Sequence, residues 1–103
     1  MLKGGQPVAT FSDIVSGELQ GSATALQCPD IPCSLVYISA LASNNGNVYI
    51  GASGVTVADG TTDTTSGLEL KPGAVLPFFV TNLNLLYRIC TGAGDDATYL
   101  AYR

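Results

Sequence analysis

Short runs of apolar residues alternate with turn-forming residues along the whole chain. Each run holds roughly four to seven residues rich in β-branched and aromatic side chains, and Gly, Pro, Asn, Asp, Ser or Thr bounds it, which predicts a β-strand. A helix-like spacing occurs at residues 11–19, where Gly17 weakens it. Strands are predicted at residues 22–27, 34–40, 47–51, 55–58, 68–70, 74–80, 85–91 and 97–102, after an extended segment at residues 7–11.

The number and spacing of these strands indicate the fold class. Short strands about 8–12 residues apart, separated by turn signals, are typical of β-sandwiches and small barrels. A chain of 103 residues is one domain by length. We therefore expect an all-β, single-domain β-sandwich or jelly roll of about seven to eight short antiparallel strands. Residues 22–103 should form this domain, and residues 1–21 an N-terminal arm able to reach a neighbouring subunit.

Two features of the pattern predict how strands pair and which side faces the core. Asn45-Gly46 is the strongest hairpin signal in the chain, because Asn-Gly favours a type I′ turn. It predicts that residues 34–40 and 47–51 are the two arms of one hairpin. One face of the first arm is continuously apolar and should line the core; it consists of Val36, Ile38 and Ala40.

Two adjacent aromatic residues, Phe78 and Phe79, indicate an interaction surface. On a regular strand they point to opposite sides, so one belongs to the core while the other needs a cover, either another subunit or the chain's own N-terminal arm. Pro77 cannot donate a ladder hydrogen bond, which places this segment at a sheet edge or a bulge. The predicted interface consists of Phe78, Phe79, Arg88, Tyr99 and Arg103.

Three cysteines, Cys28, Cys33 and Cys90, leave two interpretations open. They are small buried apolar residues, or Cys28 and Cys33 form a local disulfide, because the prolines of CPDIPC let the chain turn back on itself. An odd number argues against the disulfide framework of a secreted domain. The chain has no histidine, and three thiols without one do not make a zinc site, so no metal or cofactor is expected.

Charge and composition narrow the classes of partner. Charged residues make up 12% of the chain, about half the usual share. A surface poor in charge suits packing against other proteins, and it equally suits a β-rich domain with polar uncharged loops. The net charge is −4 and the four basic residues are scattered, which argues against nucleic acid and membranes as partners. With no signal peptide and no apolar stretch of about 20 residues, we expect a protein made in the cytoplasm.

The residue types give little support to catalysis. Without histidine, the usual base of a Ser or Cys triad is missing. The acidic residues fall mostly in predicted loops, where solvated turn carboxylates are the ordinary interpretation. Two pairs, Asp59 with Asp63 and Asp95 with Asp96, offer oxygen ligands for calcium, although neither follows the EF-hand pattern. We expect no catalytic residues and a protein that is not an enzyme.

The second half of the chain resembles a known class of protein. The residues are NVYIGASGVTVADG and TSGLELKPGAVLPFFVTNLNLLYRICTGAGDDATYLAY, within the span 47–102. This series is similar to small virion structural proteins of tailed bacteriophages. The resemblance implies a β-sandwich or jelly-roll domain on the virion, as a capsid decoration (cement) protein, a head-fibre base or a tail accessory part. It also implies a homo-oligomer, commonly a trimer, bound to the major capsid protein or another virion protein, with no active site.

Two functional hypotheses follow. The first is a non-enzymatic virion structural protein, a capsid decoration or head-accessory protein that oligomerises and binds the assembled shell. The second is a carbohydrate- or receptor-binding β-sandwich module of a phage fibre or tail, which needs Tyr, Asn and Asp gathered at loop tips. The absence of tryptophan argues mildly against the second.

Overall fold

The strands of the chain follow from the alternation of apolar runs and turn residues. The computed structural model describes residues 13–58 and 65–103. Within them the strands are β1 (Ile14–Leu19), β2 (Leu26–Gln27), β3 (Leu35–Ala40), β4 (Val48–Gly51), β5 (Leu68–Leu70), β6 (Val75–Phe78), β7 (Tyr87–Cys90) and β8 (Ala97–Tyr102). One turn of 3-10 helix, Leu83–Leu85, precedes β7. No helix in this part of the chain has the length and apolar character needed to span a membrane.

The strands pair in a nested order. β1 pairs with β8, β2 with β7, β3 with β6 and β4 with β5, and every pair is antiparallel. Two further antiparallel pairings, β3 with β8 and β4 with β7, join these pairs into two four-stranded sheets. The front sheet has the order β1-β8-β3-β6 and the back sheet the order β2-β7-β4-β5. This arrangement is a jelly roll, which confirms the predicted all-β fold of seven to eight short antiparallel strands.

The core lies between the two sheets. Every second residue of β3 and β8 points inward, and these inward residues are almost fully buried. The predicted core face of β3 is thereby confirmed. Full burial of one valine, leucine or isoleucine side chain contributes about 1.5–3 kcal/mol to folding. The largest fully buried side chains come from both sheets and the 3-10 turn, and they are Leu19, Val36, Ile38, Val48, Ile50, Leu70, Leu83 and Cys90.

The N-terminal part of the domain differs from the prediction. Residues 14–19, expected to belong to an arm with a helix-like spacing, form the edge strand β1 and pair with β8. Gly17 lies opposite Tyr99 in this pair, and a Cβ atom at position 17 would come within 2.7 Å of the Tyr99 hydroxyl. Glycine therefore leaves room for the tyrosine ring on the inner side of β1. Residues 1–12, including the predicted extended segment at 7–11, lie outside the described residues.

The predicted hairpin at Asn45-Gly46 is wrong. β3 is flanked by β8 and β6 in the front sheet, so neither hydrogen-bonding edge of β3 is free for β4. β4 pairs with β5 and β7 in the back sheet, and the β3–β4 connection crosses from one sheet to the other. The backbone N–H groups of Asn45 and Gly46 both donate to the Asp95 carboxylate. The pairing of distant strands thus outweighs the local turn preference.

Candidate interaction face

The outward-pointing residues of the front sheet form a broad surface, which we call the outer face. Alternation along each strand turns every second side chain of β1, β3, β6 and β8 away from the core. The outer face consists of Ile14, Ser16, Glu18, Leu35, Tyr37, Ser39, Val75, Pro77, Thr98, Leu100 and Tyr102. Seven of these eleven residues are apolar or aromatic, and one carries a formal charge. The exposed side of an antiparallel sheet is ordinarily polar.

The register of the four strands arranges the outer face in three rows. In the strand order β1, β8, β3 and β6, the first row is Ile14, Tyr102 and Leu35, the second Ser16, Leu100, Tyr37 and Pro77, and the third Glu18, Thr98, Ser39 and Val75. The first row is apolar throughout, and the second contains a single serine. The third row is polar except at Val75. The apolar character of the outer face therefore decreases from the first row to the third.

An open groove of about 660 Å³ lies on the outer face. The rings of Tyr37 and Tyr102 stand edge to face in it, with their centroids 6.0 Å apart and their planes at 68°. Glu18, Ser39 and Thr98 line its polar side. Within the described part of the chain, the carboxylate of Glu18 forms neither a hydrogen bond nor an ion pair. The groove thus combines an aromatic wall with an unpaired carboxylate.

On the back sheet, another segment of the chain buries the apolar residues that point away from the core. Tyr49 and Ile89 point away from the core, yet they are 2% and 9% exposed. Residues 55–58, predicted as a strand, are an irregular segment that packs over them. Hydrogen bonds between Thr56 and Ser66 hold this segment in place. In this fold, the chain itself can supply the second layer over a sheet.

The outer face of the front sheet has no comparable cover among the residues that the structure describes. Ile14 and Val75 are more than half exposed, and Tyr37 and Leu100 are more than one third exposed. Contiguous apolar patches of this kind mark sites of protein interaction. The outer face is therefore the best candidate for a functional surface.

Sequence reasoning missed most of this surface, although a signal for it was present. The two central strands of the front sheet carry apolar residues on both faces, such as Leu35 and Tyr37 beside the core residues of β3. Apolar side chains on both faces predict a strand covered on two sides. The sequence alone does not say whether the second cover comes from the same chain or from a partner.

The structure divides the five predicted interface residues between surface and interior. Phe79 is 79% exposed and follows directly after β6, whereas Phe78 is partly buried against the core. The prediction that one phenylalanine belongs to the core is confirmed, and β6 is an edge strand as Pro77 indicated. Arg103 is exposed and forms an ion pair with Asp13, with Nε 3.5 Å from Oδ2. Phe79 and Arg103 thus remain available to a partner.

Arg88 and Tyr99 are largely buried, which corrects the prediction of Arg88 as an interface residue, whereas Tyr99 also contributes to the lining of the groove. The Nε of Arg88 donates to the Gln20 carbonyl at 2.9 Å, and a terminal nitrogen donates to the Gln27 carbonyl at 3.1 Å. This buried guanidinium joins the β1–β2 connection and β2 to β7. Tyr99 is buried on the inner side of β8 beside Gly17. Alternation showed which residues share a face of these strands but not which face is inward.

The three cysteines are free thiols, so the structure does not contain the disulfide considered for Cys28 and Cys33. Cys28 and Cys90 are buried, and the thiol of the partly buried Cys33 donates to the Val80 carbonyl at 3.3 Å. Burial raises the pKa of all three thiols. At Cys28 a hydrogen bond and the positive charge of Arg88 oppose this effect without reversing it. A high pKa and low exposure are properties of unreactive cysteines.

Alkylation should distinguish these thiols. With iodoacetamide at pH 8 and no reductant, we expect Cys33 to react at least about tenfold faster than Cys28 or Cys90, because the latter two are buried in the folded protein. All three should react in urea, and mass spectrometry counts the labels. A Cys33→Ser variant should lose the fast reaction. Recovery of one label in urea, at Cys90 alone, would show that Cys28 and Cys33 are joined by a disulfide.

The acidic pair in the β7–β8 connection organises one end of the sandwich. Asp95 is buried, and its carboxylate accepts hydrogen bonds from three backbone N–H groups, those of Asn45, Gly46 and Gly92. The Asp96 carboxylate accepts one from the N–H of Gly21 at 2.7 Å. These bonds join the connections β1–β2, β3–β4 and β7–β8. The two residues therefore act in the fold itself.

The same bonds bear on the predicted calcium ligands. The Asp95 and Asp96 carboxylates face N–H donors, which a cation would have to displace. In residues 13–58 and 65–103, no three His, Cys, Asp or Glu side chains are placed to hold a metal ion. Asp59 and Asp63, the other predicted pair, lie outside the described residues.

Known proteins offer few points of comparison. No protein-family model matches the chain, and no curated protein matches it. Among solved structures, a chain from Bacillus endospore appendages, which form a novel family of disulfide-linked pili, is similar at 20% sequence identity and a TM-score of 0.47. The match covers 87% of this chain and 84% of that chain. Function is therefore argued from the surface of this chain.

Proposed function

We propose that the chain is a non-enzymatic structural protein of a virion, a capsid decoration or head-accessory protein that assembles through its outer face. The observation that carries this proposal is the broad apolar face of the front sheet, which no described residue covers. The resemblance of residues 47–102 to virion structural proteins of tailed bacteriophages is the reason for proposing a virion as the assembly to which the chain belongs. The trimer implied by that resemblance stays a prediction.

The physical chemistry of the outer face suits permanent contact with protein. Apolar surface removed from water contributes roughly 25 cal/mol per Å². Because Glu18 is the one formal charge among the outer-face residues, a partner can cover them without stripping water from many ions. Phe79, at the rim, adds a large aromatic side chain of the kind enriched in interfaces. These features favour an outer face that is covered by a protein partner, rather than one that stays exposed to solvent.

A second candidate is the carbohydrate- or receptor-binding module, and the groove is the observation that favours it. Tyr37 and Tyr102 offer ring surfaces for a sugar, and Glu18, Ser39 and Thr98 offer hydrogen-bonding groups. This site would lie on a sheet face instead of at the loop tips expected from the sequence. Titration with neutral oligosaccharides, followed by NMR of the labelled chain, distinguishes the two: shifts confined to the groove favour the binding module.

The proposed role as a virion structural protein can be tested by looking for the chain in purified virus particles. Particles should be purified from lysates of cells that carry the gene for this chain, and their proteins quantified by mass spectrometry. We expect the chain at a fixed number of copies per particle, retained through density-gradient centrifugation. Recovery of the chain in the host's soluble fraction, with none in the particles, would overturn the proposed function.

A further inference from the structure

We propose that Asn45 is a site of spontaneous deamidation and that the Asp95 carboxylate protects it in the folded chain. The modification is hydrolytic, so water is its only co-reactant. It takes place in the β3–β4 connection, at one end of the sandwich. The proposal is independent of the proposed function and of whatever covers the outer face.

The residue pair Asn45-Gly46 carries the chemistry. Asn45 is the one asparagine of the chain that precedes glycine. In such a pair, the backbone nitrogen of glycine gives its proton to a base in solvent and attacks the side-chain Cγ of asparagine. The N–Cγ bond closes a cyclic imide, the Cγ–Nδ2 bond breaks, and Nδ2 leaves as ammonia with a proton from water. Water then opens the imide at either carbonyl, which leaves aspartate or isoaspartate. Glycine favours the closure, because it has no Cβ to restrict the backbone.

The side-chain amide of Asn45, which is the group attacked, is accessible. Asn45 is exposed, and its side chain forms no hydrogen bond within the described part of the chain. Ammonia can therefore leave directly into solvent. Protection has to act on the attacking group, which is the backbone nitrogen of Gly46.

That nitrogen is held by Asp95. The N–H of Gly46 donates to Oδ1 of Asp95 at 3.1 Å, and the N–H of Asn45 donates to the same oxygen at 3.0 Å. A hydrogen bond to the neutral amide and a negative charge beside it both disfavour the loss of the proton that precedes attack. Asp95 is itself fixed, because it is 6% exposed and its Oδ2 accepts from the N–H of Gly92 at 3.0 Å.

The packing of this connection requires the glycine and restrains its backbone. A Cβ atom at position 46 would come within 2.7 Å of Oδ2 of Asp95 and of Cβ of Thr91. On the N-terminal side, the Asn44 side chain donates to the Asp96 carbonyl at 2.8 Å and accepts from the Asp96 N–H at 3.0 Å. Closing the imide has to rotate the backbone next to this anchor. The reaction should therefore wait for local opening of the connection.

The product should in turn weaken the contact that delayed its formation. Aspartate at position 45 places a second negative charge near Asp95, and isoaspartate lengthens the backbone between the two N–H groups that share Oδ1. Asn45→Asp should therefore melt at a lower temperature than Asn45→Gln, by a difference that shrinks in 1 M salt. Equal melting temperatures at low salt would contradict this effect.

Deamidation rates test the protection by Asp95. The chain is incubated at pH 8, folded or in urea, and tandem mass spectrometry follows the mass gain at position 45. We expect the folded chain to react at least about tenfold more slowly than the chain in urea, and folded Asp95→Ala at least about tenfold faster than the folded unmodified chain. Asn45→Gln should lose the mass gain at this position, because glutamine would have to close a larger ring.

A cavity variant separates protection by Asp95 from a general loss of stability. Leu83 is fully buried in the 3-10 turn before β7, whereas Asp95 lies in the connection after β7. Leu83→Ala should also lower the melting temperature, yet it should deamidate within about twofold of the unmodified chain. Equal acceleration in Leu83→Ala and Asp95→Ala, or none in Asp95→Ala, would overturn the protective role. A chain that gains no mass at position 45 in urea would overturn the site.

Discussion

Replacing Leu100 with lysine should abolish self-association of the chain while leaving the monomer folded. Leu100 lies in the second row, opposite Ser16 on one side and Tyr37 on the other. A lysine there must either lose its hydration without a partner or hold the two faces apart. We expect the dissociation constant to rise at least about a hundredfold, which corresponds to roughly 2.7 kcal/mol. Sedimentation equilibrium measures the change.

A matched substitution separates the contact from a general effect of charge. Leu68 lies on β5 at the edge of the back sheet and is 55% exposed, compared with 36% for Leu100. Leu68→Lys makes the same chemical change on a strand outside the outer face, and it should leave association within about twofold of the unmodified chain. Equal loss in both variants would mean that added positive charge acts without regard to position. Unchanged association of Leu100→Lys would place the contact elsewhere on the surface.

Replacing Asp95 with alanine should destabilise the fold more than any other change of an acidic residue described here. The substitution leaves three backbone N–H groups without their acceptor, at 3.0 to 3.1 Å from the present carboxylate oxygens. Unsatisfied buried donors cost about 1–3 kcal/mol each, and partial access of water reduces the sum. We expect a loss of about 3 kcal/mol in the free energy of unfolding, and a melting temperature lower by roughly 12 °C or more.

Two further variants define the role of Asp95. Asp95→Asn keeps the acceptor oxygen shared by Asn45 and Gly46 but loses the acceptor for Gly92, so its stability should lie between those of the alanine variant and the unmodified chain. Asp30→Ala is the control, because its exposed carboxylate accepts one hydrogen bond, from the Asn82 side chain at 2.8 Å. It should cost no more than about 0.5 kcal/mol. A loss in Asp95→Ala no larger than in Asp30→Ala would contradict the structural role.

The sequence alone is enough to predict most residues of the outer face. It is not enough to predict that these residues are exposed. The alternation in residues 34–40 and 97–102 already places Tyr37, Leu100 and Tyr102 on the opposite side from the core. The same alternation holds for Tyr49 of the back sheet, which is buried in a cluster that includes residues 55–58. Whether such a residue is exposed depends on where a distant connection runs. That path is set by the packing of the whole chain.

Local patterns determined what needed only neighbouring residues. The bounds of β5 and β8 agree with prediction, and the Pro72-Gly73 turn is present with Gly73 at a φ of 87°, where glycine is favoured. The all-β class also follows from local patterns, because strand propensity and turn residues act over a few positions. For the same reason, Phe78 and Phe79 could be assigned to opposite sides of their segment before the core was known.

Tertiary structure decided every feature that depends on which strands meet. The sequence by itself determined most of the strands, the Pro72-Gly73 turn and the inward face of β3. It did not determine that Asn45-Gly46 crosses between sheets, that Arg88 and Tyr99 are buried, or that Asp95 joins distant connections. These outcomes depend on contacts between residues far apart in the chain, and burial of the core selects one pairing of the strands from several that are locally acceptable. The exposed outer face is a result of that selection.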